Sequence, residues 1–258
     1  MNYPELEKLI EIITILRSEN GCQWDREQTH KTLRTNMLEE AYEAVDAIDS
    51  NDISNLKEEL GDVLLQVVLH SQIAKDNGNF DIEDVAKELN KKLIHRHPHV
   101  FNNIKVRSTE EIISNWEQLK KEEKTDRKSI LDGITKSQSA LMAAQKISKK
   151  VVKVGFEWDS LESLMSCIKS EYQEFEEAIA LNDFDKMEDE MGDIFFATVN
   201  LARWFKIDSE LALIRANKKF TRRFKKMEEI ATKEFKDYSY DEFNCLWKQA
   251  KLELEKEN

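Results

Sequence analysis

The sequence predicts an all-α protein built from two tandem, repeated four-helix units, and two observations carry this prediction. The 258 residues include only two prolines and six glycines, and they are rich in Leu, Ile, Lys, Glu and Ala, which favour helices. In addition, an acidic pattern occurs twice, with matched residues 131 positions apart, as Glu40 and Glu171 are. A repeat at a fixed offset indicates two copies of one structural unit.

Apolar periodicity gives the order of the expected helices. In the first half, an amphipathic helix over residues 5–17 and a break at residues 21–25 precede four helices, at 35–48, 53–75, 81–95 and 109–125. Asp52 is well placed to cap the helix that starts at residue 53. In the second half, residues 155–159 resemble the first break, and helices follow at 161–180, 184–205, 209–233 and 240–256. Two four-helix units are the simplest architecture for this plan.

The boundary between the units is expected in a charged segment. Residues 120–128 contain almost only charged side chains and have no apolar face, which is typical of a solvated connection. We therefore expect an N-terminal domain over residues 1–125 and a C-terminal domain over residues 126–258.

Composition and charge exclude several functional classes. With 39 basic and 51 acidic residues, the chain has a net charge of −12, which disfavours binding to nucleic acid. The N-terminus is acidic, so no signal peptide is expected. The longest apolar run, residues 63–69, is interrupted by Gln66 and is too short to span a membrane. The three cysteines form no Cys-x-x-Cys pair, which favours reduced thiols in the cytoplasm.

The repeated carboxylates predict two divalent-metal sites. Each copy has a Glu-x-x-Glu pair on one helix and a Glu-x-x-Asp pair on the next, and residues three apart share a helix face. If the two helices pack antiparallel, four carboxylates converge and cannot all ionise without a cation. Mg²⁺, with Mn²⁺ as a substitute, suits such oxygen ligands. The candidate ligands are Glu40, Glu43, Glu59 and Asp62 in the first half and Glu171, Glu174, Glu190 and Asp193 in the second.

A solvated acidic face and a di-iron site are the alternatives to a magnesium site for these carboxylates. A solvated acidic face would usually carry Lys or Arg one turn further along the helix. Here those positions hold Ala44, Ala47, Val63, Gln66, Phe175, Ala178, Ile194 and Ala197. A ferritin-like di-iron site needs Glu-x-x-His pairs, which this pattern lacks. The separate cluster of His95, His97 and His99 could bind a softer metal, but an extended segment of this kind more often holds surface or packing residues.

Basic, glycine and tryptophan residues accompany both acidic motifs. Residues 217–224 place two Lys/Arg pairs one turn apart, which suits the clamping of phosphate oxygens, and residues 90–96 are the first-half counterpart. Two glycines within the predicted helices indicate either close helix approach or room for a ligand. Two tryptophans near the ends of the units are either core residues or stack on a base. These four residues are Gly61, Gly192, Trp116 and Trp247.

The acidic motif, Glu-Glu-x-x-Glu followed by Glu-x-x-Asp, resembles the signature of the MazG family of nucleoside triphosphate pyrophosphohydrolases. The resemblance covers nearly the whole chain and includes residues 96–101, 155–158, 219–223 and 246–247. It implies tandem all-α MazG-like units, obligate homodimerisation and Mg²⁺-dependent cleavage of nucleoside triphosphates to the monophosphate and pyrophosphate. Ser170 departs from the motif, because its equivalent in the first half is Glu39.

The resemblance also implies roles for individual residues. Metal binding and catalysis would fall to Glu171, Glu174, Glu190 and Asp193, with Glu40, Glu43, Glu59 and Asp62 as the equivalent set. Lys219, Arg222 and Arg223 would hold phosphates, Trp247 would lie by the nucleotide, and Lys186 would assist. We expect the second half to be the working one, because its basic segment is denser. A non-catalytic interaction module and a phosphatase that releases orthophosphate remain the alternative functions.

Overall fold

A computed structural model describes residues 3–102, 104–123 and 128–256. Helices and their connections make up this described part of the chain, which contains no strand, so the all-α prediction is confirmed. The chain separates into two compact units, Met1–Thr125 and Asp126–Asn258. The expected boundary between residues 125 and 126 lies outside the described residues. In the ranges that the structure describes, no helix is long and apolar enough to cross a membrane.

The described residues of the first unit form five longer helices and two short ones. Its helices are α1 (Pro4–Leu16), α2 (Gln23–Glu27), α3 (Arg34–Ser50), α4 (Ile53–Asp76), α5 (Ile82–Arg96), α6 (Pro98–Phe101) and α7 (Thr109–Glu122). The core forms where α1 and α4 meet the segment before α3, around Ile13, Leu33, Val68 and Ile73. A polar contact also ties α1 to α4, since Thr14 donates a hydrogen bond of 3.0 Å to Gln72.

The second unit also has five longer helices, one more than the sequence predicts. Its helices are α8 (Ala140–Val152), α9 (Leu161–Leu181), α10 (Phe184–Trp204), α11 (Ser209–Ile230) and α12 (Tyr240–Lys256). A short 3₁₀ turn at Phe235–Asp237 precedes α12. One core cluster lies between α9 and α10, around Leu164, Ile168 and Ala197. A second lies between α11 and α12, around Met227, Leu246 and Ala250.

Helix α8 is the element that the periodicity analysis lacks. Its buried polar residues, Gln145 and Ser148, lie among the half-buried apolar residues Leu141, Ala144 and Ile147. The side chains of Gln145 and Ser148 form hydrogen bonds with α10 and the start of α11. Ser148 donates a hydrogen bond of 2.5 Å to the buried Asn200, and the Gln145 oxygen accepts a hydrogen bond of 2.9 Å from the backbone N–H of Ser209. In the repeat, α8 takes the place that α1 has in the first unit.

The hairpins α3–α4 and α9–α10 have the same connection in both units. Asn51 and Asn182 end the first helix of each hairpin in the left-handed conformation, each with φ of 55°. The next residue, Asp52 or Asp183, caps the second helix by accepting a hydrogen bond from the backbone N–H of Asn55 (3.0 Å) or Lys186 (3.1 Å). Because the connection is so short, the two helices of each hairpin must run antiparallel, side by side.

Candidate active site

The structure brings three carboxylates together at each hairpin. In the first unit, Glu40 and Glu43 of α3 meet Glu59 of α4, and one oxygen from each lies within 4.8 Å of the other two. In the second unit, the equivalent residues of α9 and α10 meet in the same way. They are Glu171, Glu174 and Glu190. We call these groups the N-terminal and C-terminal triplets. Each joins residues that are 16 positions apart in sequence across a single two-residue connection.

The fourth predicted carboxylates, Asp62 and Asp193, lie outside the triplets. Asp193 is exposed and Asp62 is half-buried. Their charges still act on the triplets. The pKa of Glu40 is raised by burial, and after burial the charge of Asp62 is the largest cause. Asp193 likewise contributes to the raised pKa of Glu190. Both aspartates therefore act on the triplets through their charge without being part of the tight group.

Electrostatic repulsion within the triplets is the physical reason to expect a cation. Burial raises the pKa of Glu59, and repulsion from Glu43 and Asp62 adds to it. Burial also raises the pKa of Glu190, the most buried triplet residue at 8% exposure, and the Glu174 carboxylate adds to it. A divalent ion that takes oxygen ligands would relieve both effects. The triplet residues therefore fit Mg²⁺ by donor type and by charge.

Three further side chains surround the C-terminal triplet. Lys186 lies one turn before Glu190 on α10, and its positive charge partly offsets the rise in the pKa of Glu190. Ser170, at the departure from the motif, donates a hydrogen bond of 3.1 Å to Glu174. Cys167 lies 3.5 Å from Glu171, and burial followed by that contact raises the pKa of its thiol. Ser170 thus contacts the triplet by a hydrogen bond, where Glu39 in the other unit has a negative charge.

The remaining predicted substrate residues lie on α11 and α12. Lys219 and Arg222 are exposed, and Arg223 is half-buried. The Arg223 guanidinium lies over the ring of Trp247, 5.6 Å from its centre, and Phe220 packs against the same ring at 5.1 Å. The described contacts therefore join Arg223 and Trp247 to each other, and Lys186 acts on the Glu190 carboxylate.

The arginine–tryptophan contact is repeated in the first unit. Arg96 lies over the ring of Trp116 at 5.7 Å and also forms an ion pair with Glu123. The neighbouring His97 forms a hydrogen bond of 2.7 Å between its Nδ1 and the backbone oxygen of Leu93. Within the described residues, the groups that could hold a metal are the two triplets, and the histidine segment does not form one. This favours packing and surface roles for the histidines.

The two helical glycines do not mark close contacts within a unit. A Cβ atom added at Gly61 or Gly192 would meet no atom within 4 Å. Both residues are exposed and lie next to the aspartate of their motif. Of the two explanations offered by the sequence, close helix approach inside the unit does not apply, and room for a ligand or another chain is left.

Sequence reasoning assigned no site role to three polar residues of α4 and α9. They are Cys167, beside Glu171, and the pair Gln66 and His70, which follow Asp62 at intervals of one turn on α4. A signal for Gln66 was present, because it interrupts the longest apolar run of the chain. Cys167 and His70 lack such a signal, since a single Cys or His within a helix is more often a packing residue.

Comparisons with known proteins relate this geometry to a family. Residues 28–101 and 159–228 match the MazG nucleotide pyrophosphohydrolase domain, which therefore occurs twice. The chain is 43% identical over 249 residues to the nucleoside triphosphate pyrophosphohydrolase/pyrophosphatase MazG of Thermotoga maritima, covering 95% of each protein. It is 42% identical over 255 residues to the nucleoside triphosphate pyrophosphohydrolase of Escherichia coli K12, covering 96% of this chain and 97% of the relative.

A solved structure, the crystal structure of the mazG-related protein from Thermotoga maritima, aligns with 45% of this chain and 98% of its own, at 34% identity and a TM-score of 0.39. The fold and the duplicated triplets define an all-α hydrolase with tandem repeats. The chain belongs to the MazG nucleotide pyrophosphohydrolase family and is an enzyme, so the resemblance recognised in its motifs is confirmed.

Proposed function

We propose that this enzyme hydrolyses nucleoside triphosphates to the monophosphate and pyrophosphate and that Mg²⁺, with Mn²⁺ as a substitute, is its cofactor. The observation that carries the proposal is the pair of carboxylate triplets, each with three oxygens within 4.8 Å of one another. Two relatives that match nearly the whole chain are named nucleoside triphosphate pyrophosphohydrolases. The raised pKa of Glu190 adds support, because a bound cation would favour the ionised carboxylate.

Each part of the C-terminal site has a chemical role in this proposal. Glu171, Glu174 and Glu190 would hold Mg²⁺, and Asp193 would complete the set from the adjacent turn. When bound, the ion neutralises charge that develops on the triphosphate during the reaction. A carboxylate with an unshared oxygen orients the attacking water and accepts its proton. Lys186, which acts on Glu190, would bind phosphate oxygens.

The residues on α11 and α12 would bind the remainder of the substrate. Lys219, Arg222 and Arg223 would donate hydrogen bonds to phosphate oxygens, because guanidinium and ammonium groups match their charge and geometry. The Trp247 ring is contacted by Arg223 and Phe220 and packs against the core cluster of α11 and α12, and in this proposal it would lie beside the nucleotide.

The C-terminal unit is the proposed site of general triphosphate hydrolysis. Its advantage is Lys186, because the equivalent residue in the first unit is the neutral Asn55. The test is a matched pair of variants, Glu43→Gln and Glu174→Gln, assayed with several triphosphates and Mg²⁺. Glutamine keeps the size and removes the charge, so Glu174→Gln should lower turnover by orders of magnitude, and Glu43→Gln should have a smaller effect. The opposite pattern would assign the activity to the first unit.

Product analysis distinguishes this function from the alternatives. With ATP, dATP, GTP, dCTP and dTTP as substrates, we expect the monophosphate and pyrophosphate. Orthophosphate as the primary product would indicate a phosphatase. The absence of turnover with every triphosphate would favour a non-catalytic module that binds nucleotides or a partner.

We also propose that the enzyme is a cytoplasmic homodimer. Large apolar side chains near the hairpins remain exposed within each unit, including Phe184 at 73% and Phe195 at 58% exposure. Apolar faces of this size are usually covered by another chain or element. Pairing of the two repeats of one chain is the alternative. Light scattering at micromolar concentration would refute the homodimer if it gave the mass of a single chain, 30.3 kDa.

A further inference from the structure

Helix α4, which carries Glu59 of the N-terminal triplet, has two buried polar atoms with no hydrogen-bond partner among the described residues. They are Gln66 Oε1 and His70 Nε2. The whole Gln66 side chain is only 5% exposed. Since a buried acceptor without a partner is unfavourable, native structures usually pair such groups, and the exceptions often mark functional positions.

Helical register places both residues on the side of α4 that carries Asp62. Asp62, Gln66 and His70 follow one another at intervals of one turn, and Gln66 is two turns from Glu59. At 1.5 Å per residue, Gln66 lies about 6 Å and His70 about 12 Å beyond Asp62 along α4. On α3, which packs against α4, the half-buried Asn36 lies one turn before Glu40. A polar strip therefore continues from the triplet into the unit.

The His70 ring is held in place by a second histidine. Its Nδ1 lies 2.8 Å from Nδ1 of His30, and the two rings stack with centres 5.1 Å apart and an angle of 3° between them. This contact uses one nitrogen of His70 and leaves its Nε2 as the unpaired atom. His70 is thus oriented by a neighbour while it keeps one polar atom for another partner.

The second unit has no such strip at the equivalent positions. Gln66 and His70 correspond to Ala197 and Leu201, and His30 and Asn36 correspond to Leu161 and Cys167. Ala197 belongs to the apolar core cluster, and Leu201 packs against that cluster. The two units therefore share the triplet but differ in the residues beyond it. Polar residues in the first unit would select among polar ligands, and apolar residues in the second would not.

We propose that Gln66 and His70 form a nucleobase-reading subsite in the first unit. This inference rests on the proposed function, because a triphosphate bound at the N-terminal triplet would direct the nucleoside along the polar strip. The base then donates an N–H group to Gln66 Oε1, and a second polar edge atom pairs with His70 Nε2. The ligand class is a nucleoside triphosphate, and the first unit distinguishes among bases by these hydrogen bonds.

The test measures binding to the full chain with its C-terminal triplet disabled by Glu174→Gln. The probes are α,β-methylene analogues of adenosine, guanosine, cytidine and uridine triphosphates, with Mg²⁺, and inorganic tripolyphosphate as the probe without a base. Isothermal titration calorimetry gives each dissociation constant. We expect affinities that differ by about tenfold across the bases, the factor that one hydrogen bond contributes. Adding Gln66→Leu should weaken the tightest analogue by about tenfold and leave tripolyphosphate unchanged.

A matched control is Gln72→Leu, the same change at another buried position of α4. Gln72 is paired with Thr14 and Asp76, so its loss should lower stability without altering the ratios among the bases. Circular dichroism checks the folding of every variant, and His70→Phe supplies the same test if Gln66→Leu does not fold.

Three results bear on the subsite and the function separately. Unchanged ratios among the bases in both Gln66→Leu and His70→Phe would overturn the subsite. So would a Glu174→Gln chain that binds the analogues no better than tripolyphosphate. If the unmodified chain binds neither kind of probe in the presence of Mg²⁺, the proposed function itself fails.

Discussion

Replacing Gly192 by alanine tests what occupies the space beside this exposed position of α10, two residues after Glu190. The residue lies within α10, where glycine costs about 0.5–1 kcal/mol relative to alanine because the unfolded chain has more freedom. An added Cβ would meet no atom within 4 Å, so nothing in the unit offsets this gain. We therefore expect Gly192→Ala to raise the free energy of unfolding by up to about 1 kcal/mol and the melting temperature by about 3 °C.

Calorimetry or circular dichroism of the thermal transition provides the measurement. Gly155→Ala is the matched control, because Gly155 has a φ of +90° and alanine there is strained, so its melting temperature should fall. A decrease for Gly192→Ala would refute the reasoning and indicate that another chain fills the space. An increase that is accompanied by lost turnover would instead indicate that the glycine leaves room for substrate.

Two other predictions concern stability. Asp183→Ala removes the side chain that caps α10 through the backbone N–H of Lys186, and it should cost about 1 kcal/mol in urea unfolding, whereas Asp183→Asn should cost much less. Equal losses would contradict a capping role. Hydrogen bonds from Lys233 and Ser239 lower the pKa of Glu242 from 4.5 to about 2. Because the folded-state pKa is the lower one, this stabilisation is present above pH 4.5 and is lost as the pH falls towards 2. Melting temperatures of the unmodified chain and Glu242→Gln should therefore differ at pH 6 and converge near pH 2, and a constant difference would exclude the linkage.

Much of the fold could be predicted from the sequence, because helical periodicity and the repeat report on it directly. The hairpin that carries the acidic motif is an example, since the sequence placed Asp52 as a cap and the structure has it there. Helix α8 was not predicted, although Leu141, Ala144 and Ile147 follow helical spacing; the buried Gln145 and Ser148 interrupt its apolar face. The repeat could have located it, as α1 lies at the equivalent place.

The sequence predicted which residues belong to the candidate site but not how they are arranged in space. Spacing indicated which carboxylates share a face, yet only the packing of two helices separates the triplet from the more peripheral Asp193. Spacing also could not show that Arg223 contacts Trp247, because that contact depends on how α11 and α12 cross. Likewise, the unpaired state of Gln66 depends on its neighbours in space.

The left-handed asparagine at each hairpin connection has a consequence for how the two halves can diverge. Asn51 and Asn182 reverse the chain within two residues, so the angular position of the second helix is set by the length of this connection. One inserted residue would rotate that helix by about 100° relative to the first and carry its glutamate away from the other two. Side chains beyond the triplet can differ between the two units, as Gln66 and its equivalent Ala197 do. The length of the connection cannot change in this way. The interval from Glu43 to Glu59 is the same as the interval from Glu174 to Glu190.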